Sequence, residues 1–304
     1  MPYDITQAAS QPGIPLRLSS DLNTHPGRSS IADCYARVIA DLQAALPALP
    51  VTPVYKTAPS QPAVNALLAR ISLAMGGYPA ALDYANACLA QYATLSDYNT
   101  LNKPTTTGIH NTYLSEDIFH ANMVGHVVYS VRRDSYIGPD LYNSYDANDL
   151  RKTKFFAILD GLSQYPRFVG SYDYKGLKYD GLAVDEVYLV KAECLARAGD
   201  AEGAMAALNA LLVTRWKTGT FIPYTAANAG DALLQVLKER QKELLLRGLR
   251  WTDLRRLNLD SRLAVTLRRT VGGADYHLPP NDPKYAFPIP DIEVQLGGLT
   301  QNPR

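Results

Sequence analysis

Aligning Gly76 with Gly199 lays two stretches of this chain on one another. Ala69 then falls on Ala192, Ile71 on Cys194, Ala81 on Ala204, Leu82 on Met205 and Asn86 on Asn209. Each copy reads helix, tight glycine turn, helix. Small residues stand where the two helices must cross, because alanine lets backbones approach and glycine ends the first helix. That is the grammar of a tetratricopeptide-type hairpin. The copies, about 60–95 and 184–216, are not separated by a multiple of the usual ~34-residue period, so a regular solenoid is not expected. The reading is a mainly α-helical, all-α fold with two such hairpins and a long insertion, about 96–180, between them.

Local signals fill in the rest. Ser30 with Asp33 three residues on is a capping-box-like start for a helix whose apolar positions run from Ile31 to Leu46, until Pro47 stops it. Ser60 and Pro62 open a second helix to Met75; Pro79 opens a third to about Gln91. The insertion is rich in Tyr, Asn, Asp, Gly and Thr and reads as loops, a few short helices and small strands. From Thr270 onward the prolines of "HLPPNDPKYAFPIPDIEVQL" forbid long helices, and the segment 270–304 is expected to lie extended across the surface.

Composition excludes several functions. Lys plus Arg number 30 against 29 Asp plus Glu, so a nucleic-acid binder relying on a basic excess is not expected. Cys34, Cys88 and Cys194 sit far apart in apolar patterns, without CxxC or His/Cys spacing, and read as small core residues. No window approaches the ~18 apolar residues of a membrane span, and the N-terminus has no signal-peptide pattern. His110, His120 and His126 share a region but lack an i,i+4 or HExxH arrangement, so no metal site is read from them.

One stretch, "ERQKELLLRGLRWTDLRRLNLD" (Glu239–Asp260), could be catalytic, nucleic-acid binding or a solvated helix. Leu233, Val236, Leu237, Leu244 and Leu245 share a face of a helix starting near Ala232. Glu243 and Arg247 stand four apart in the favourable order; Glu239 and Glu243 repel unless a cation is near. Gly248 permits a stop, and a short helix with Trp251, Leu254 and Leu257 follows. By physics alone the region 232–258 reads as a charge-laced helical hairpin.

This stretch resembles the hallmark of the SusD/RagB family, an E-R-x-x-E-L run followed by G-x-R-W/F-x-D-L-R-R. The matching positions include Glu239, Arg240, Glu243, Leu244, Gly248, Arg250, Trp251, Asp253, Leu254, Arg255 and Arg256; Arg247 departs from it, where an acidic residue often precedes the glycine. Further similar pieces follow in family order: "GIPLRL", "SIADCYARVIADLQAALPALP", "ALLARISLAMGGYPAALDYAN", "NDLRKTKFF", "DEVYLVKAECLARAGD" and "FPIPDIEVQLGGLTQNP". The resemblance implies one SusD/RagB-like domain over 1–304. It implies a glycan-binding, non-enzymatic lipoprotein of the outer membrane and cell surface, working beside a SusC-like TonB-dependent transporter. The charged strip is then structural. Family members begin with a lipoprotein signal, an acylated Cys and further helices, so the chain is expected to be the C-terminal part of a longer protein whose anchor precedes it.

Sugars present apolar C–H faces and hydroxyl rims, so a glycan site needs aromatic platforms flanked by polar side chains. Tyr113, Tyr136, Tyr142, Tyr145, Tyr172 and Tyr174, with Arg133 and Asn143, are the insertion's candidates. No cofactor is read from the residues, and calcium is the one ion left open. Two other classes stand beside glycan capture. A helical-repeat scaffold would bind peptides in its groove. A glycosidase would need two carboxylates roughly 5–9 Å apart; the neighbours Glu116–Asp117 and Asp185–Glu186 read instead as solvated or capping groups.

Overall fold

Ser30 caps the first helix as its spacing with Asp33 predicts: the Asp33 amide donates to Ser30 Oγ at 3.0 Å, and Ser30 Oγ donates to Asp33 Oδ2 at 2.7 Å. The structure, a computed structural model, describes residues 3–21, 23–101, 113–123, 135–158, 166–172 and 177–304. They group into two units, Met1–Ala45 with Ala74–Gly77 and Trp251–Arg304, and Leu46–Leu73 with Tyr78–Arg250.

In order, the chain forms β1 (Pro12–Pro15), β2 (Arg28–Ser30), α1 (Ile31–Ala45), a 3₁₀ turn at Leu46–Ala48, α2 (Gln61–Ala74) and α3 (Tyr78–Gln91). The insertion supplies β3 (Asp117–Phe119), α4 (Pro139–Asn143), α5 (Arg151–Lys154), β4 (Phe156–Ala157) and β5 (Arg167–Phe168). There follow β6 (Leu182–Ala183), α6 (Val184–Arg197), α7 (Ala201–Leu212), α8 (Ala229–Glu243), α9 (Arg250–Leu257), β7 (Leu267–Val271), β8 (Ala274–Leu278), a 3₁₀ turn at Pro283–Tyr285 and α10 (Asp291–Gly297). The fold is helix-rich with tetratricopeptide-like hairpins, as the repeated pattern predicts.

The larger unit holds the second hairpin whole and, of the first, α2 up to Leu73 and α3. Gly76 (φ 74°) and Gly199 (φ 92°) both take the left-handed conformation that the turns demand and that side chains with a Cβ resist. Ala69, Ala81, Ala192 and Ala204 are completely buried, so the small residues stand at the crossings. Although the insertion separates them in sequence, α3 packs directly on α6, and α6 also packs on α7 and α8. One apolar cluster joins Ala66, Leu73 and Ala85 to Val187, Val190 and Cys194. A second cluster lies under the insertion and gathers Tyr98, Leu114, Tyr145, Phe155, Phe156, Phe168, Tyr172 and Tyr179. Of two short antiparallel pairs, β3 with β6 ties the insertion to the start of α6, and β4 with β5 closes within the insertion.

In the smaller unit β1 pairs with β2. Arg28 donates to the carbonyls of Gly13, Pro12 and Thr300 and to Asn302 Oδ1, at 2.8–2.9 Å. Gln301 imitates a strand against Ile289, accepting from its amide and donating to its carbonyl at 2.8 Å each. The C-terminal segment differs from the extended course expected of it: β7 and β8 form a five-pair hairpin over Gly272–Gly273, and α10 follows Pro290. The prolines stand outside these elements or at their margins, so they limit helix length without preventing regular structure.

Candidate functional site

The insertion's aromatic candidates divide by burial. Tyr113 (43% exposed) packs at 4.6 Å against the His120 ring, whose Nδ1 lies 2.6 Å from Asp117 Oδ2. Tyr136 (46% exposed) forms a bridge with Arg167, which places its guanidinium 4.7 Å over the ring and donates to the hydroxyl at 2.6 Å. Tyr142, half-buried on α4, sets its edge on Phe156 at 5.3 Å and has the Lys152 ammonium 5.1 Å from its ring. Asn143 is exposed beside it. These four keep aromatic or amide surface available, with a cation close to Tyr136 and to Tyr142.

Tyr145 and Tyr172 do not. Both are buried, against the reading of them as platforms. Tyr145 donates its hydroxyl to the Lys242 carbonyl at 2.8 Å. Tyr172 donates to Asp185 Oδ2 at 2.9 Å and lies against Glu116 Oε1, so its polar end is used inside the protein. Arg133, Tyr174, His110 and His126 lie outside the described residues.

What surrounds those tyrosines is an ionic core. Arg151 grips Asp149 with Nε and Nη2 at 2.9 and 2.7 Å, then reaches Glu239 at 2.6 Å and Glu243 at 2.9 Å. Arg215 donates Nη2 to both Glu116 oxygens at 3.0 and 2.8 Å, Nε to Glu243 at 2.7 Å and Nη1 to the Ser96 carbonyl at 2.8 Å. Glu243 thereby bridges the two arginines, one oxygen to each. Lys242 donates to Glu239 at 2.8 Å and stands 3.3 Å from Asp149. Tyr98 lies 4.1 Å beneath the Arg215 guanidinium.

The charged strip is therefore a buried surface of α8 and not a solvated one. Glu239, Arg240, Lys242 and Glu243 are all buried. The cation that Glu239 and Glu243 need is Arg151. The expected Glu243–Arg247 pair does not form: α8 ends at Glu243, and Leu246 (φ 57°) and Gly248 (φ 73°) turn the chain left-handed. Arg247, the departure from the family pattern, instead pairs with Asp185 and lies 4.7 and 4.9 Å from the Tyr172 and Tyr179 rings. Past Gly248, Trp251 donates to the Tyr285 carbonyl at 3.1 Å and stacks on Phe287 at 5.6 Å, while Asp253 accepts from Arg256 at 2.9 Å. Arg250 opens α9.

The two carboxylate pairs read as solvated are buried too. Glu116, Asp185 and Glu243 offer oxygens within 4.8 Å of one another, close enough to hold a metal ion. Their lone pairs, however, face Arg215, Arg151, Arg247 and the Tyr172 hydroxyl, so guanidinium groups stand where a cation would be bound. Burial pushes the Glu116 carboxyl up to about 7 in spite of Arg215. Burial acts on Asp149, Asp185 and Glu239 as well, but Arg151 beside Asp149 and Glu239, and Arg247 beside Asp185, outweigh it and hold all three below the ordinary carboxylate range. The hollow beside Arg247 and Tyr172 measures about 10 Å³, at the limit for one water and far too small for a sugar. The chemistry of this cluster is cohesion.

Much of this network was invisible in sequence. Asp149 and Arg151 fall in the quoted "NDLRKTKFF", but nothing there distinguishes them from a solvated pair. Arg215 and Tyr98 carry no local signal, because their partners stand far away along the chain.

Residues 185–304 match the model of the SusD family, and residues 3–73 match a model described as starch-binding associating with outer membrane. Both stretches of the chain are thus similar to SusD-type families. Among curated proteins none matches it. Solved structures of SusD-like proteins do. A SusD superfamily protein from Bacteroides thetaiotaomicron VPI-5482 is 23% identical, with a TM-score of 0.76, over 100% of this chain and 73% of its own. A SusD-like carbohydrate binding protein from Bacteroides vulgatus ATCC 8482 is 20% identical, with a TM-score of 0.72, over 97% of this chain and 71% of its own. A second SusD superfamily protein from that organism is 23% identical, with a TM-score of 0.70, over 99% and 72%. At these identities the likeness is one of fold. The family is one of sugar-binding proteins, and no helix among the described residues is long and apolar enough to cross a membrane.

Proposed function

We propose that this SusD-like protein captures an oligosaccharide or polysaccharide at the outer membrane, without catalysis, and passes it to a SusC-like TonB-dependent transporter. The observation that carries the reading is the match of residues 3–73 to a family described as starch-binding and associated with the outer membrane. The insertion supports it with exposed Tyr113 and Tyr136 and half-buried Tyr142, aromatic faces flanked by Arg167, Lys152 and Asn143. Stacking on such faces and hydrogen bonds to hydroxyl rims give modest affinity per site, because little surface is buried. Catalysis finds no support in the Glu116, Asp185 and Glu243 cluster, where guanidinium groups already take up the carboxylates. The capture itself needs no cofactor.

Affinity electrophoresis in native gels cast with starch and a panel of other polysaccharides tests this. Retardation by one polysaccharide, weakened by Tyr136→Ala or Tyr142→Ala, is the expected result. Migration unaffected by every polysaccharide would overturn the reading, and capture of a SusC-like transporter from solubilised outer membranes checks the partner.

A further inference from the structure

The smaller unit holds a cavity of about 320 Å³ lined by segments far apart in sequence: Asp4, Gln7 and Gln11, Arg255 of α9, and Asn281 and Asp282 beyond β8. That volume lies in the range of small-ligand sites. Its polar side chains hold one another and leave defined atoms over. Gln11 donates Nε2 to Gln7 Oε1 at 2.5 Å and Gln7 donates to Asp4 Oδ2 at 3.3 Å, so this row ends on an unengaged Gln11 Oε1. Asp282 Oδ1 accepts from the Lys284 amide at 2.8 Å, which leaves Oδ2. Asn281, in the left-handed conformation at φ 61°, donates Nδ2 to the Asn258 carbonyl at 3.0 Å and leaves Oδ1.

These leftover atoms are within a ligand's reach. Gln11, Arg255 and Asp282 are half-buried, and of their unpartnered atoms only Arg255 Nε is sealed from solvent; Asn281 is exposed. The open oxygens of Gln11, Asn281 and Asp282 call for donors, and the terminal nitrogens of Arg255 call for an acceptor. A hydroxyl is both. Charge narrows the choice further: the Asp4 and Asp282 carboxylates oppose an anion, and the Arg255 guanidinium opposes a cation. Leu259, Pro283 and Pro303 add apolar surface to the same walls, which suits the C–H face of a sugar ring.

We propose that this cavity binds one neutral sugar ring, whose hydroxyls donate to Gln11 Oε1 and Asp282 Oδ2 and accept from Arg255. The site is separate from the aromatic face of the insertion and does not rest on it.

Isothermal titration of the whole chain with glucose, galactose and mannose, and with the uronate and the 2-amino sugar of each, tests it. One neutral hexose is expected to bind several-fold tighter than its own uronate and its own amino sugar. Asp282→Asn keeps the oxygen that accepts from the Lys284 amide and replaces the open one by a nitrogen that cannot accept. It is expected to weaken hexose binding roughly tenfold with the thermal midpoint unchanged, because hydrogen bonds to charged groups are the stronger kind. Gln11→Met, which removes the open carbonyl at similar length, is expected to weaken it several-fold, and Tyr136→Ala to leave it unaltered. No binding of any hexose, a uronate or amino sugar bound as tightly as its hexose, or indifference to both cavity substitutions would overturn the proposal. Polysaccharide retardation reads the insertion and this titration reads the cavity, so a failure of one is distinguishable from a failure of the other.

Discussion

Two polar interiors of this protein differ in one respect that decides what each does. Under the insertion, the carboxylates of Asp149, Glu116, Asp185, Glu239 and Glu243 all meet arginine or lysine nitrogens, although Arg247 keeps Nε and Nη2 unpaired. In the smaller unit, Asn258 and Tyr285 are buried and Arg255 is half-buried; each leaves a polar atom unpaired, and Arg255 forms no ion pair with any described carboxylate. Ion pairing separates the two interiors: in the first, removing one charge strands its buried partners, and in the second there is no pair to break.

The largest expected effect comes from breaking the ion-paired side. Arg151→Met leaves Asp149, Glu239 and Glu243 buried around a missing cation and is expected to cost about 3–5 kcal/mol or to prevent folding, read by thermal or chemical denaturation. A loss below about 1 kcal/mol would mean that the network is solvated in solution. Tyr172→Phe is next, at about 1–3 kcal/mol, since its hydroxyl serves Asp185 and Glu116. The same variant should leave polysaccharide retardation intact, in contrast to Tyr136→Ala.

A pH series sharpens the comparison further. Folded Glu116 holds its proton up to about 7, against an ordinary value of 4.5, so its contribution to stability is full below about 4.5 and is lost as pH rises to about 7. Asp149, Asp185 and Glu239 work the other way. Their contribution is full above their ordinary values and is lost as pH falls through the lowered ones. The thermal midpoint should therefore be highest at a mildly acidic pH of about 5 and decline toward neutrality, with Glu116→Gln flattening that decline. A midpoint rising steadily to pH 7 would contradict the assignment. The effect on the other side has the opposite sign: Tyr285→Phe should raise stability, by up to about 1–3 kcal/mol, because it removes a buried hydroxyl that has no partner.

The sequence by itself determined the hairpins, their glycine turns and the cap of α1, for these depend on neighbours a few residues apart: Ala69 and Ala81 across Gly76, Ala192 and Ala204 across Gly199, Ser30 with Asp33. The motif order likewise carried the likeness to SusD-type families. Tertiary structure alone decided the fate of charges and tyrosines. Glu239 to Arg247 reads as a structural, charge-laced hairpin, but helical periodicity reports spacing and not what covers a face, and the covering residues Arg151 and Arg215 come from distant segments. Tyr136 and Tyr172 look alike in a tyrosine-rich insertion; one is exposed and the other is buried against Asp185 and Arg247, partners that stand far along the chain.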